Sequence, residues 1–218
     1  NMMNLELLCN AAKLSGDKSF EEIACTHART TMKNHFRDDY STWHVVSYIP
    51  ETGEVQVKNT HQGLSDDSAW SRGQAWGLYG YTMMYRETGN EEFLAQAENV
   101  AKYLLGRLPE DGVPYWDFDS PLIPDTFRDS SAGAIMASAF VDLSRFTKDA
   151  GLAGKCIKMA ETQIRTLASD EYLAAPGRNG GFLLRHGVGH LPGKSQIDVP
   201  LSYGDYYFIE AISKYIAK

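Results

Sequence analysis

Three stretches of this chain repeat one pattern, an apolar helical run, a short turn and a second, more charged helical run. The first spans Leu5 to Leu14, turns at Ser15-Gly16-Asp17 and continues to about His35. The second spans Gln74 to Thr88, turns at Gly89-Asn90 and continues to about Gly106. The third spans Ser130 to Thr147, turns at Lys148-Asp149 and continues to about Leu167. Ala28 follows Gly16, and Ala101 follows Gly89, at the same interval. A lone fourth helix, Ser202 to Ala217, closes the chain. Turns this short make each pair an antiparallel helical hairpin.

The turn residues fit that reading. Gly16 and Gly89 suit a helix C-terminus that needs positive φ. Asp17, Ser19 and Asn90 are N-cap residues for the following helices, and Ser19 with Glu22 predicts a capping box. The first helix of each pair is rich in small residues, as in Ser130-Ser131-Ala132-Gly133-Ala134. The second carries a charged face, as with Glu21, Glu22, Arg29 and Lys33, which marks an outer helix. An inner and an outer layer of helices predict an all-α fold, the α/α toroid, here with about three and a half hairpins. A closed ring of six would need on the order of 130 further residues. Residues 1–218 are therefore expected to form a single domain of catalytic type that is incomplete at its N-terminus.

Composition removes several classes. The 218 residues are 43% hydrophobic, enough for one sizeable core. No run approaches the ~20 apolar residues of a membrane span, so no membrane partner is expected. No signal peptide is visible, which leaves both cytoplasm and periplasm open. With 28 acidic against 21 basic residues, and the basic ones scattered, no nucleic-acid partner is expected either. Cys9, Cys25 and Cys156 have neither zinc nor Cys-x-x-Cys spacing and read as buried free thiols. No metal or cofactor motif stands in the chain.

Chemistry concentrates in the links between pairs. Thr42 to Tyr48 and Glu54 to Val57 flank a turn at Gly53 and predict a rim β-hairpin. The links at 106–127 and 168–201 are read as rim loops, where binding residues tend to sit. The densest polar and aromatic cluster is Thr60-His61-Gln62-Gly63 followed by Trp70-Ser71-Arg72-Gly73-Gln74-Ala75-Trp76. Arg72 and Trp76 share one helix face, Arg72 can hold a carboxylate bidentately, and Trp70 or Trp76 can offer a flat face to a sugar ring. A buried Trp beside an Arg paired with Asp66 or Asp67 accounts for the same residues equally well. His44 reads as structural or catalytic. Trp116-Asp117-Phe118-Asp119 offers two carboxylates without a third metal ligand at suitable spacing, and Asp205 either orients a site group or favours a helix N-terminus.

These strings, with Asn1-Met2-Met3-Asn4-Leu5, Asp129-Ser130-Ser131-Ala132 and Tyr203-Gly204-Asp205-Tyr206-Tyr207, occur in an order that resembles glycoside hydrolase family 88, the unsaturated glucuronyl hydrolases. The likeness covers nearly the whole chain. It implies a toroid of six hairpins and a substrate with a 4,5-unsaturated uronic acid at its non-reducing end. It also implies hydration of that double bond, with an aspartic acid protonating C4. The resemblance assigns Arg72, Trp76, Trp70, Gln62, His44 and Thr60 to the sugar site. It puts the catalytic aspartate immediately before Asn1 and a second one further upstream, so no catalytic residue is expected in this chain, which alone should bind weakly and not turn over. The partners it implies are the unsaturated oligosaccharide and the missing N-terminal part of the same protein. The alternatives are an unsaturated rhamnogalacturonyl hydrolase and a non-catalytic sugar-binding toroid. Some sulfate-accepting members carry Ser-x-x-Ser-x-Lys near the last helix; Gly189, Pro192 and Lys194 align there, which leaves Lys194, His186 and His190 as a sulfate-region loop without hydroxyls. The parent polysaccharide is not legible in the sequence.

Overall fold

The computed structural model describes residues 1–217. Among them are seven α-helices: α1 (Leu5–Ser15), α2 (Ser19–His35), α3 (Ser71–Thr88), α4 (Glu91–Leu105), α5 (Ser130–Phe146), α6 (Ala150–Leu167) and α7 (Ser202–Ile216). Two antiparallel hairpins join them, β1 (Val45–Tyr48) with β2 (Val55–Asn59), and β3 (Gly187–His190) with β4 (Ser195–Val199). None of the helices is long and apolar enough to cross a membrane.

The helices end where glycine lets them. Gly16 and Gly89 close α1 and α3 in the left-handed region, at φ 76° and 68°. Asn90, Asp129 and Asp149 cap α4, α5 and α6 by accepting backbone N–H groups of the first turn. The predicted capping box at Ser19 and Glu22 does not form. The Asp17 carboxylate accepts the Ser19 N–H at 2.9 Å, Ser19 is already the first helical residue, and Lys18 occupies the cap position.

Helices α1, α3, α5 and α7 stand side by side in an inner row, and α2, α4 and α6 lie behind them. The row is dense because its residues are small. From Ser130 to Leu143 every residue of α5 is buried, so this helix has no solvent face and packs against α3, α6 and α7 at once. Gly80 on α3 faces Met2, where an added Cβ would lie 2.4 Å from the Met2 Cβ. Gly204 on α7 meets Ser131 of α5 in the same manner, at 3.2 Å.

Towards the C-terminal ends of α3, α5 and α7, a network of charges joins these helices to the first turn of α1. Arg86 of α3 reaches Glu6 of α1, Glu87 of its own helix (2.9 Å) and Asp142 of α5 (3.2 Å). Lys214 of α7 bonds the same Asp142 at 2.7 Å and Glu210 at 3.1 Å. The N-terminal ends of α3, α5 and α7 gather at the opposite end, around β3–β4.

Two expectations need correction. The link at 168–201 is not only loop, because it carries the β3–β4 hairpin. Of the three cysteines, Cys9 and Cys156 are buried free thiols, whereas Cys25 is only half-buried.

Two glycine substitutions separate packing from propensity. Gly80→Ala forces a methyl into Met2 and is expected to destabilise by ~1–3 kcal/mol. Gly154→Ala, in α6 with nothing within 4 Å of the new Cβ, is expected to stabilise by ~0.5–1 kcal/mol. Urea unfolding of both variants checks the pair; equal midpoints would contradict the close Met2–Gly80 approach.

Candidate active site

A cavity of about 620 Å³ opens between β1 and the start of α3, and reaches Asn1 and α2. His44, and Gln62, Trp70 and Trp76 from the sequence cluster, line it together with Trp43 and Tyr48. Thr60 and Arg72 stand directly behind the wall residues.

The wall is assembled by side chains gripping backbone. His44 Nδ1 receives the N–H groups of His61 (3.1 Å) and Gln62 (3.2 Å), and the Thr60 hydroxyl lies at 3.2 Å. A ring nitrogen that accepts backbone N–H groups carries no proton, so the neutral ring holds its hydrogen on Nε2. The Thr60 hydroxyl oxygen also accepts the Gly63 N–H at 2.9 Å. Gly63 is required in this turn, because a Cβ there would lie 2.6 Å from that oxygen. The His44 ring stacks on Trp70 with centroids 4.3 Å apart. Burial, and after it the nearby His61, Arg72, His190 and His35, push the His44 pKa down from 6.5 to about 4. At neutral pH His44 is therefore a fixed hydrogen-bond donor, not a proton carrier.

Arg72, in the first turn of α3, is only 2% exposed. Its partner is neither Asp66 nor Asp67 but Asp129, the cap of α5, whose Oδ2 accepts from Nη1 at 2.6 Å. Asp66 instead accepts the Thr60 N–H. Arg72 also donates to the carbonyls of Val188 and Gly189 on β3. Its guanidinium lies 4.5 Å from the Trp70 ring centre and 5.5 Å from that of Tyr203. A guanidinium has five N–H donors, and these three bonds leave two unspent. Gln62 Nε2 donates to the same Gly189 carbonyl at 2.7 Å, which leaves the Gln62 amide oxygen for another donor.

The remaining candidates separate from this group. His190 donates from Nε2 to the His61 carbonyl at 2.8 Å and stacks on His61, so it joins the rim next to the cavity. His186 is drawn away, with Nδ1 2.6 Å from Asp198 and its ring edge-on to Tyr172. Lys194 is exposed in the β3–β4 turn. Asp117 is fully buried and accepts the Leu64 N–H, the Ser68 hydroxyl and the Asp119 N–H, which makes it an organiser of loops. Asp119 accepts the Ala69 N–H and pairs with Arg107. Asp205 accepts the N–H groups of Leu183 and Leu184, both at 2.8 Å, and so anchors the segment leading to β3. Among the described residues no group of three or more His, Cys, Asp or Glu side chains is arranged to hold a metal ion. Sequence reasoning missed Asp129 as the partner of Arg72; its signal was the Asp-Ser-Ser helix start, which also reads as a plain cap.

The cavity has aromatic walls and is set on paired helices, the layout of an α/α protein. No family model matches the chain, but individual relatives do. The unsaturated glucuronyl hydrolase of Formosa agariphila is 48% identical over 216 residues, 98% of this chain and 53% of that protein. The unsaturated glucuronyl hydrolase of Bacillus sp. strain GL1 is 37% identical over 212 residues, 97% of this chain and 56% of its own length. A crystal structure described as an unsaturated glucuronyl hydrolase specific for heparin superposes with a TM-score of 0.95 at 50% identity, covering 98% of this chain and 57% of that one. The chain belongs to the unsaturated glucuronyl hydrolase family, glycoside hydrolase family 88. It spans about half the length of the curated relatives it matches.

The lowered His44 pKa makes a prediction about acid stability. Above pH ~6.5 the residue is neutral in both folded and unfolded chains. As pH falls towards about 4 the unfolded chain takes up a proton that the folded chain does not, so stability declines through that window. His44→Asn retains an acceptor for the two N–H groups and cannot titrate. Its urea midpoint is expected to fall less between pH 7 and 4.5 than that of the parent. Some decline remains, because burial lowers the pKa of His27 and His35 as well. A parallel decline in both proteins would put the proton uptake elsewhere.

Proposed function

We propose that the complete protein removes a 4,5-unsaturated uronic acid from the non-reducing end of an oligosaccharide by hydrating its double bond. The observation that carries this reading is family membership along nearly the whole chain, and it is supported by one cavity walled by His44, Gln62, Trp70 and Trp76 with Arg72 behind it. Trp76 offers an apolar face to the sugar, and Trp70, buried between His44 and Arg72, presents its edge to the cavity. His44 Nε2–H and the Gln62 amide oxygen offer one donor and one acceptor to its hydroxyls. The two unspent donors of Arg72 suit a carboxylate.

Asn1 and Met2 border the same cavity. An aspartic acid immediately ahead of Asn1 would stand at its wall. In the proposed reaction that acid gives its proton to C4, water adds at C5, and the carboxylate takes the proton that the water loses. The hemiketal formed at C5 opens to a ketone. The hemiacetal left at C1 then releases the rest of the oligosaccharide, and the uronic acid departs as a keto acid. An apolar, aromatic-lined site raises a carboxyl pKa towards the range where it can act as an acid at neutral pH.

The ring is completed, in this reading, by helix pairs of the same protein ahead of Asn1. Leu7, Leu14 and Ile23 are exposed at the α1–α2 edge, and Tyr206, Ile209 and Ile216 at the α7 edge. Apolar faces at both ends of one row are what a closing set of helices would cover. The residue before Asn1 separates the enzyme from a sugar-binding toroid without catalysis: an aspartate supports the enzyme, and any non-acidic residue supports the binder.

The direct test supplies the complete protein with unsaturated disaccharides produced by a polysaccharide lyase and follows loss of the ultraviolet absorbance of the double bond. Steady loss of absorbance with release of a reducing sugar is expected; its absence overturns the assignment. Arg72→Lys keeps the charge but loses the planar fork. It is expected to lower kcat/KM at least about tenfold, in line with the ~1.5–3 kcal/mol of a charged hydrogen bond. An unchanged kcat/KM would remove Arg72 from the substrate site.

Sulfation gives a further expectation. Gly189 and Pro192 supply no hydroxyl to orient a sulfate, and His186 is engaged with Asp198. An exposed Lys194 by itself contributes ~0–1 kcal/mol. Unsulfated disaccharides are therefore expected to be used as well as sulfated ones or better. Matched kcat/KM values decide it, and a preference above roughly a hundredfold for the sulfated sugar, about 2.7 kcal/mol, would sink the idea.

A further inference from the structure

We infer that Asp129 is a positioning residue for Arg72, and that the pair presents directed N–H donors, not a net cation, to an acidic sugar. The inference rests on the proposed function for the place of Arg72 beside the substrate. The geometry that supports it belongs to the structure alone. Asp129 is fully buried, and each of its oxygens is committed. Oδ2 accepts from Arg72 Nη1. Oδ1 accepts from the Ser131 N–H, the Ser131 hydroxyl and the Val188 N–H. One carboxylate thus caps α5, fixes β3 and holds the guanidinium of α3.

The consequences for recognition follow from charge. Arg72 and Asp129 together carry no net charge, and both lie out of solvent. Two further bonds, to the Val188 and Gly189 carbonyls, point the fork in one direction under Trp70. Under the proposed function, a carboxylate that reaches the two remaining donors of Arg72 meets a fork held at fixed angles and little long-range attraction. Such a site favours a bound geometry over simple capture of an anion, which is where a gain in kcat arises.

Asparagine caps a helix about as well as aspartate, so Asp129→Asn keeps the α5 cap while removing the anionic partner of Arg72. In the complete protein, Asp129→Asn is expected to lower kcat at least tenfold. KM for an unsaturated disaccharide is expected to stay level or fall, because the uncompensated cation still attracts the uronate. The kcat/KM of the variant is expected to depend more steeply on salt than that of the parent. Ser131→Ala, which weakens the cap without touching Arg72, is expected to lower the Tm and leave kcat within about twofold. A kcat for Asp129→Asn within twofold of the parent, or an equal loss in Ser131→Ala, overturns the inference.

A second readout separates this inference from the proposed function. With isotope-labelled arginine, the Arg72 guanidinium hydrogens are expected to exchange slowly with solvent in the parent and fast in Asp129→Asn. If the complete protein does not act on unsaturated disaccharides, the proposed function fails, and the exchange experiment still decides the positioning role: unchanged exchange overturns it. If Asp129→Asn does not fold, Asp129→Glu, which keeps the charge and moves the carboxylate by one methylene, is read by the same exchange and kcat criteria.

Discussion

A buried arginine has to be met on every side, and the way Arg72 is met joins the parts of this protein that form its cavity. Its charge is answered by Asp129 on α5 and two of its other donors by carbonyls of β3. The aromatic rings of Trp70 and Tyr203 flank its plane. Isolating a guanidinium from water without such partners costs several kcal/mol, and removing one partner from a buried pair typically costs ~3–5 kcal/mol. The rim hairpin β3–β4, the start of α3 and the start of α5 therefore hold their relative positions together or not at all. The same contact brings the Gly189 carbonyl within reach of Gln62, which ties the 60–63 turn into the group.

The inner row of helices supplies the rigidity this contact needs. Small residues along α5 let α3 and α7 approach on either side, and Gly80 and Gly204 mark places where any side chain would hold elements apart. Close packing of that kind leaves few voids and transmits displacement from one helix to the next. At the far end the row is held by charge instead, through Arg86, Asp142 and Lys214. The two ends divide the work. The charged network spans four inner helices, while at the other end the Arg72–Asp129 pair is buried.

The helix pairs were legible because their signals are local. A glycine at φ near 70° after an apolar run, followed by Asn90 as a cap, is written in consecutive residues. The site cluster was legible for a similar reason, since His44, Gln62, Trp70 and Trp76 lie within one stretch and do share a cavity. What escaped is non-local or conformationally unusual. The Arg72–Asp129 bond joins residues 57 apart in sequence, and the nearer Asp66 and Asp67 looked equally suitable. The β3–β4 hairpin hides because Gly187 and Gly189 interrupt any alternation in β3, and because His186, Lys194, Gln196 and Asp198 all take positive φ without being glycine. Ordinary strand propensity does not anticipate such a backbone. The capping box failed on competition: Asp17 takes the N–H that starts α2.

The electrostatics of the cavity constrain which chemistry this part of the protein can perform. His44 has the side chain most suited to moving a proton, yet burial and its neighbours keep it neutral down to about pH 4, and its Nδ1 is spent on backbone N–H groups. Arg72 is permanently charged and already paired. Asp117, fully buried, accepts three hydrogen bonds from loop groups. These residues can bind, orient and exclude water, and none of them is placed to give up a proton to a sugar carbon. Under the proposed function the acid therefore enters from the Asn1 side of the cavity, where Met2 and the α2 residues His27 and His35 also line the wall and no carboxylate of this chain does. A His44 that stays neutral down to about pH 4 adds no step of its own to the pH dependence near neutral pH. Under the proposed function, the rate profile near neutral pH then reports the acid ahead of Asn1 without a contribution from His44.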